Sequence, residues 1–167
     1  MIRASAESDY QAILSIINAA AEAYRGIIPP DRWKEPYMPG HELAHEVAAG
    51  VKFQIFEEDG ALKGVMGVQE VKDVTLIRHA YVDPEAQGRG IGAELLGKCS
   101  RLAGGPLLIG TWAAAEWAIR FYEKHGFQQT SMAEKERLLR TYWTIPERQI
   151  ETSVVLAEKR WFEDNPA

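Results

Sequence analysis

The sequence predicts an α/β (α+β) fold: one domain around a central mixed, mostly antiparallel twisted sheet of about six to seven strands, flanked by about four helices. Three observations lead there. β-favouring runs at 52–58, 61–70 and 74–82 follow one another through the tight-turn signals Asp59-Gly60 and Lys72-Asp73, the pattern of an antiparallel meander. The third run passes through Asp83-Pro84 into the glycine-rich turn Gln87-Gly88-Arg89-Gly90-Ile91-Gly92, which opens into an amphipathic helical pattern. A short apolar run at 107–111 follows that helix, and a right-handed crossover sets it parallel to 74–82.

Taken in order, residues 2–4 read as a first strand. Ser8 is then a candidate N-cap for a helix whose apolar positions Ile13, Ile16, Ile17, Ala20, Ala21 and Tyr24 recur at helical spacing up to about Gly26. Residues 26–40 hold four prolines and cannot be regular. A short helix follows at 40–49 with Leu43 and Val47 inward, then the meander. The helix after the glycine turn runs over about 91–103 and ends at Gly104-Gly105-Pro106. Another occupies about 114–125 with Gly126 at its C′ position. Strands are expected at 127–130 and 152–157, and the interval 131–150, longer than a hairpin needs, contains a helical piece around 134–142. Only the end, 163–167, reads as frayed.

Composition bounds the function. A chain of 167 residues suits one domain with a sizeable core, and 46% hydrophobic with 26% charged residues is an ordinary globular balance. A net charge of -5 argues against a generic nucleic-acid binder. The lone Cys99 excludes an intrachain disulfide and a cysteine-based metal cluster, and no metal site is expected. The N-terminal segment has no apolar leader region and no run approaches a membrane span, so the expectation is a cytoplasmic protein with no membrane or nucleic-acid partner.

The glycine turn is where an anion would bind. The first turn of a helix leaves backbone N–H groups unpaired and concentrates the positive end of the helix dipole, while Gly88, Gly90 and Gly92 remove Cβ atoms from the approach and Arg89 adds a charge. No G-x-x-x-x-G-K-[ST] run exists, which argues against a P-loop hydrolase. The dinucleotide fingerprint is met only in its degenerate form, since its third glycine position falls on Ala93. The turn also follows a meander rather than an opening βαβ unit, which counts against a Rossmann domain and leaves a nucleotide binder as a minor alternative.

Gln87 to Gly92 following Tyr81-Val82-Asp83-Pro84 resembles the [QR]-x-x-G-x-[GA] motif of the GNAT superfamily, the acyl-coenzyme-A-dependent N-acyltransferases. The downstream Ala118-Ile119-Arg120-Phe121-Tyr122-Glu123-Lys124-His125-Gly126-Phe127 resembles that family's second signature, and the two together span about the central third of the chain. The resemblance implies a sheet whose strands splay into a V that admits coenzyme A. It also implies backbone contacts from Ala80, Tyr81 and Val82 to pantetheine and the acyl carbonyl, a pyrophosphate held by Gln87, Gly88, Arg89, Gly90, Ile91, Gly92 and Ala93, and Tyr122 beside the coenzyme sulfur as general acid. The implied activity is transfer of acetyl from acetyl-CoA to an amine in a ternary complex, with a homodimer through the last strand or the 131–150 insertion as one assembly.

The chain departs from the family pattern in two places. Ala115 stands where many members have a coenzyme-contacting asparagine, and Gly110 where many have a glutamate base. Candidate replacement bases are His79 and Glu70. Bland alternatives stand beside these readings: Tyr122 as a core tyrosine sharing a helix face with Ile119 and His125, and His79 as a structural histidine. Tyr24, Arg32, Trp33, Tyr37, Trp112, Arg137, Arg140, Tyr142 and Trp143 form either an aromatic acceptor slot or simply packing between loop and insertion. The missing base also leaves a non-catalytic acyl-CoA-binding domain as an alternative.

Overall fold

Turn chemistry sets the first half of the sheet. Asp59 and Gly60 both take positive φ, 51° and 75°, the backbone that matches the twist of a two-residue hairpin. They join β2 (Lys52–Glu58) to β3 (Ala61–Val71), and Lys72, also at positive φ, turns β3 into β4 (Val74–Val82). The computed structural model describes Met1–Ala167, and in it β1 (Ile2–Ala4), β5 (Leu107–Trp112), β6 (Phe127–Gln129) and β7 (Ser153–Glu158) complete one seven-stranded sheet of order β1-β2-β3-β4-β5-β7-β6. The β4–β5 pair is parallel and every other pair antiparallel. β7, the last strand, lies between β5 and the three-residue β6, which pairs with its second half, Leu156 to Glu158.

Seven α-helices rather than about four surround the sheet: α1 (Tyr10–Ala21), α2 (Gly40–Ala48), α3 (Ile91–Leu102), α4 (Glu116–Lys124), α5 (Met132–Tyr142), α6 (Glu147–Glu151) and α7 (Lys159–Asp164). The unexpected α6 and α7 are five and six residues long, too short to show a helical period. Ser8 is not the cap of α1. It lies inside a 3-10 turn, Glu7–Asp9, and the carboxylate that accepts an orphan amide is Asp9, from the Ala6 N–H at 2.7 Å.

The alternation of β4 and β5 separates two faces. Ile77 and Ile109 point into a cluster with Ile91, Leu95, Leu96, Cys99 and Tyr122 of α3 and α4. Leu76 and Leu108 point the other way, into a cluster with Leu138, Leu139 and Trp161 of α5 and α7, while Val65, Phe53 and Ile55 on the same face meet Ile13, Ile17 and Leu43 of α1 and α2. One face is thus covered by α3 and α4, the other by two separate groups of helices. α3 lies close on the sheet because β3 carries Gly64, where a Cβ would stand 2.8 Å from the Ile91 side chain and 3.0 Å from that of Leu95.

Candidate functional site

β4 and β5 stay paired only from Thr75 to Ile77 and from Leu107 to Ile109. The register of β3 with β4 shifts at Met66, so that His79 and Ala80 together oppose this one residue, and His79 takes φ 51°. Such a bulge bends its strand and re-aims side chains. Here it coincides with the point where β4 leaves β5, and the gap-facing backbone groups of both strands have no strand partner beyond it.

On the α3 and α4 side of the gap lies an apolar cavity of about 450 Å³. Ala80, Tyr81, Val82, Gln87, Gly92 and Tyr122 line it, together with Tyr24 and Trp117, whose rings stack at 5.8 Å. At its mouth Gly90 takes φ 81° immediately before α3, a left-handed conformation suited to glycine. Glu94 makes the first amide hydrogen bond of the helix, to the Gly90 carbonyl, which leaves the N–H groups of Ile91, Gly92 and Ala93 pointing out of the helix start. The Ile91 side chain itself is in the core, so only its backbone is available. Arg89 is engaged bidentately by Glu58 at 2.7 and 2.8 Å, which holds its guanidinium beside the turn.

Tyr122 is 6% exposed, and burial raises its pKa. Its ring packs edge-on to Phe121 and Phe127, no protein group hydrogen-bonds its hydroxyl, and it lines both the apolar cavity and a small void of about 80 Å³ in the throat of the V. His79, Tyr24, Tyr81, Gly110 and Thr111 share that void. Where a side chain at Gly110 would sit, the Trp143 ring intervenes, 3.2 Å from an added Cβ. The position of the family glutamate is therefore filled by an indole from the insertion.

Through the throat is a second, polar region made of adjoining cavities of about 130 and 320 Å³, which share Tyr37, Arg78, His79, Tyr81, Trp112, Ile145 and Gln149. The Trp112 Nε1–H donates to the Tyr37 hydroxyl at 2.9 Å, and the hydroxyls of Tyr37, Tyr81 and Tyr24 gather beyond it. Burial drives the pKa of Tyr81 well up, with the neighbouring phenols adding to the shift. Glu46 reaches in from α2: its Oε2 lies 3.0 Å from His79 Nε2, and Arg78 donates to both its oxygens at 2.9 and 2.7 Å. Burial pushes the Glu46 carboxyl up, but the His79 hydrogen bond and the electrostatic attraction of its neighbours, Arg78 among them, outweigh it and hold the net pKa below the ordinary carboxylate value.

The residues singled out from sequence thus divide. Ala80, Tyr81, Val82, Gln87, Gly92, Tyr122 and His79 meet around the V. Glu70 does not: its carboxylate accepts from Thr75 Oγ1 at 2.9 and 2.8 Å and from the Gly104 amide at 3.1 Å, tying β3 to the turn before β5 at the far end of the sheet. Among the aromatic and arginine positions, Tyr24, Arg32, Tyr37, Trp112 and Trp143 line the polar region, whereas Arg137 pairs with Glu134, Arg140 with Glu147, and the Tyr142 hydroxyl donates to Asp73. Trp33 packs on Tyr37 at 5.6 Å under the Arg25 guanidinium. Sequence reasoning missed Glu46. It sits on the polar side of a nine-residue helix, and nothing local distinguishes it from Glu42.

Residues 49–129 match the family model for the acetyltransferase (GNAT) domain. An uncharacterized N-acetyltransferase of Methanocaldococcus jannaschii is 36% identical over 64 residues, a stretch covering 36% of this chain and 28% of that protein. Among solved structures, PaiA N-acetyltransferase of Thermoplasma acidophilum in complex with coenzyme A aligns over 95% of this chain and 98% of its own, with TM-score 0.72 and 17% identity. The ribosomal-protein-S18-alanine N-acetyltransferase of Escherichia coli aligns over 95% and 92%, with TM-score 0.66 and 18% identity. The match to the acetyltransferase (GNAT) domain over 49–129 spans the bulged strand, the glycine turn and the Tyr122 helix, and the likeness of fold to solved acetyltransferases extends over nearly the whole length of the chain.

Proposed function

We propose that this protein is an N-acetyltransferase that moves an acetyl group from acetyl-CoA to a primary amine. One observation carries the reading: the buried Tyr122 hydroxyl, free of protein partners, lies in the throat that joins an apolar cavity to a polar one. The residues present suit coenzyme A. Unpaired amides at the start of α3 meet the pyrophosphate, and the apolar cavity, with strand edges left open by the splay, takes the pantetheine arm.

In the reaction the amine nitrogen bonds to the acetyl carbon as the carbon–sulfur bond breaks. His79 takes the proton the amine loses, and Tyr122 gives one to the departing thiolate. With Nε2–H donated to Glu46, the histidine keeps Nδ1 as its proton acceptor, so Glu46 is a positioning residue that fixes tautomer and ring orientation. A backbone N–H at Tyr81 or Val82 steadies the carbonyl oxygen. The homodimer and cytoplasmic setting expected from sequence rest on sequence and resemblance.

The test is a melt of the purified protein with acetyl-CoA, NAD and ATP, followed by thiol release with a panel of amines. Acetyl-CoA alone should raise the melting temperature, since a ligand of the folded state stabilises by about 2.7 kcal/mol at a hundredfold excess over Kd. No shift at millimolar acetyl-CoA would sink the proposal; a shift without thiol release from any amine would favour the non-catalytic acyl-CoA-binding alternative.

A further inference from the structure

The polar cavity carries a charge pattern that acetyl transfer does not itself require. Three cationic side chains line its larger part, Arg32, Lys34 and Arg78, with two carboxylates, Glu42 and Glu46. Lys34 is paired with Glu42, and Arg78 with Glu46. Arg32 is left over. Its nearest carboxylate is that of the adjacent Asp31 at 3.9 Å, and Asp31 is already held by Arg148 at 2.9 and 3.3 Å. The Arg32 side chain is 28% exposed, and the one acceptor within hydrogen-bond range is the Asp31 carbonyl, 3.3 Å from Nε. A guanidinium with its terminal N–H groups unused, set in a cavity wall, is matched to a planar anion.

The segment that carries Arg32 is held in place. Pro29 and Pro30 restrict its backbone, Arg32 N–H donates to the Pro29 carbonyl at 2.8 Å, and the Asp31–Arg148 pair ties the segment to α6 across the cavity rim. At the inner end of the same cavity stand Glu46 and His79 beside the throat. At that inner end the Glu46 carboxylate is balanced by Arg78 yet remains an acceptor for an ammonium, while Arg32 carries the cavity's one unmatched charge, with Tyr37 and Trp112 among the walls. Its volume of about 320 Å³ lies at the small-molecule end of ligand sites.

We infer that the acceptor is a small amino acid-type molecule, a primary amine that also bears a carboxylate, with its ammonium toward Glu46 and His79 and its carboxylate on Arg32. This rests on the transferase reading for its reaction, though not for its binding. A diamine or polyamine is disfavoured, because its second ammonium would meet Arg32 and Lys34 at the rim.

The experiment compares the proteinogenic L-amino acids with their decarboxylated amines, such as phenylalanine with phenethylamine, leucine with isoamylamine and lysine with cadaverine. The readouts are melting shift and acetyl-CoA-dependent thiol release, on wild type and on Arg32→Gln and Arg32→Lys. At least one amino acid should raise the melting temperature and be used with kcat/KM about tenfold or more above its amine. Arg32→Gln should narrow that gap, chiefly through KM, and Arg32→Lys should keep part of it. Amines that bind and react as well as amino acids in wild type overturn the inference, and so does an amino-acid preference unchanged in a normally folded Arg32→Gln, or the absence of any response to amino acids. An Arg32-dependent amino-acid melting shift without thiol release from any acceptor would uphold the binding site and overturn the transferase reading.

Discussion

At the residue scale, the chemistry turns on what surrounds a few polar atoms. Tyr122 is a buried phenol, and burial, which raises its pKa, keeps it protonated and able to donate at neutral pH. Replacing it with phenylalanine keeps the ring against Phe121 and Phe127 and removes only the hydroxyl. Turnover should then fall by roughly a hundredfold or more, the usual scale of a positioned proton donor, with the acetyl-CoA melting shift retained. Equal turnover in wild type and Tyr122→Phe would remove the hydroxyl from the mechanism and leave the tyrosine as packing. Glu46 shows why identity alone does not mark such residues. Glu42 lies one turn earlier on α2 and pairs with Lys34, while Glu46 meets a histidine that a bulge has swung beneath it.

At the element scale, the site exists because β4 is bent and α3 lies close to the sheet. Gly64 makes that approach possible, and a methyl there would press on Ile91 and Leu95 from 2.8 and 3.0 Å. Gly64→Ala should therefore cost about 1–3 kcal/mol in urea unfolding, as overpacking does. The same change should weaken the acetyl-CoA melting shift, because α3 carries the amides proposed to meet the phosphates. A substitution that is silent in both measurements would mean that α3 can shift outward without loss. Much of this scale was legible in advance: Asp59-Gly60, the glycine turn and the prolines of 26–40 mark their turns by backbone chemistry alone. The five- and six-residue helices α6 and α7 were not, since their form depends on packing against β7.

At the scale of the whole molecule, the N-terminal strand is fastened by charge. Arg3 donates to Asp9 at 2.8 and 3.0 Å and to Glu57 at 2.8 Å, joining β1 to β2 and to the start of α1. The Arg3 hydrogen bond, helped by the Ala6 amide, lowers the Asp9 carboxyl from 3.8 to about 2. A carboxyl depressed by folding stabilises above its unfolded pKa and loses that contribution as the pH falls through its folded one. This share of stability is thus complete above about pH 4 and is lost toward pH 2. Asp9→Asn should lower the melting temperature at pH 7 and flatten its decline between pH 4 and 2; a mutant curve parallel to wild type would assign acid sensitivity to other groups. Solvent exposure of Arg3 keeps the effect modest.

Local chemistry was enough to determine the meander, the glycine turn and the crossover to β5, because turn residues and hydrophobic period act within a few positions of themselves. Only the tertiary structure decided what faces the reacting centre. Glu70 and His79 lie nine residues apart on neighbouring strands, yet pairing carries the first to the far end of the sheet and the bulge turns the second into the throat. Glu46, Arg32 and Trp143 come from a helix, a loop and the edge of an insertion, and no sequence period links them to β4. Their meeting depends on which faces of separate elements bury together, a property of long-range packing that local spacing does not encode.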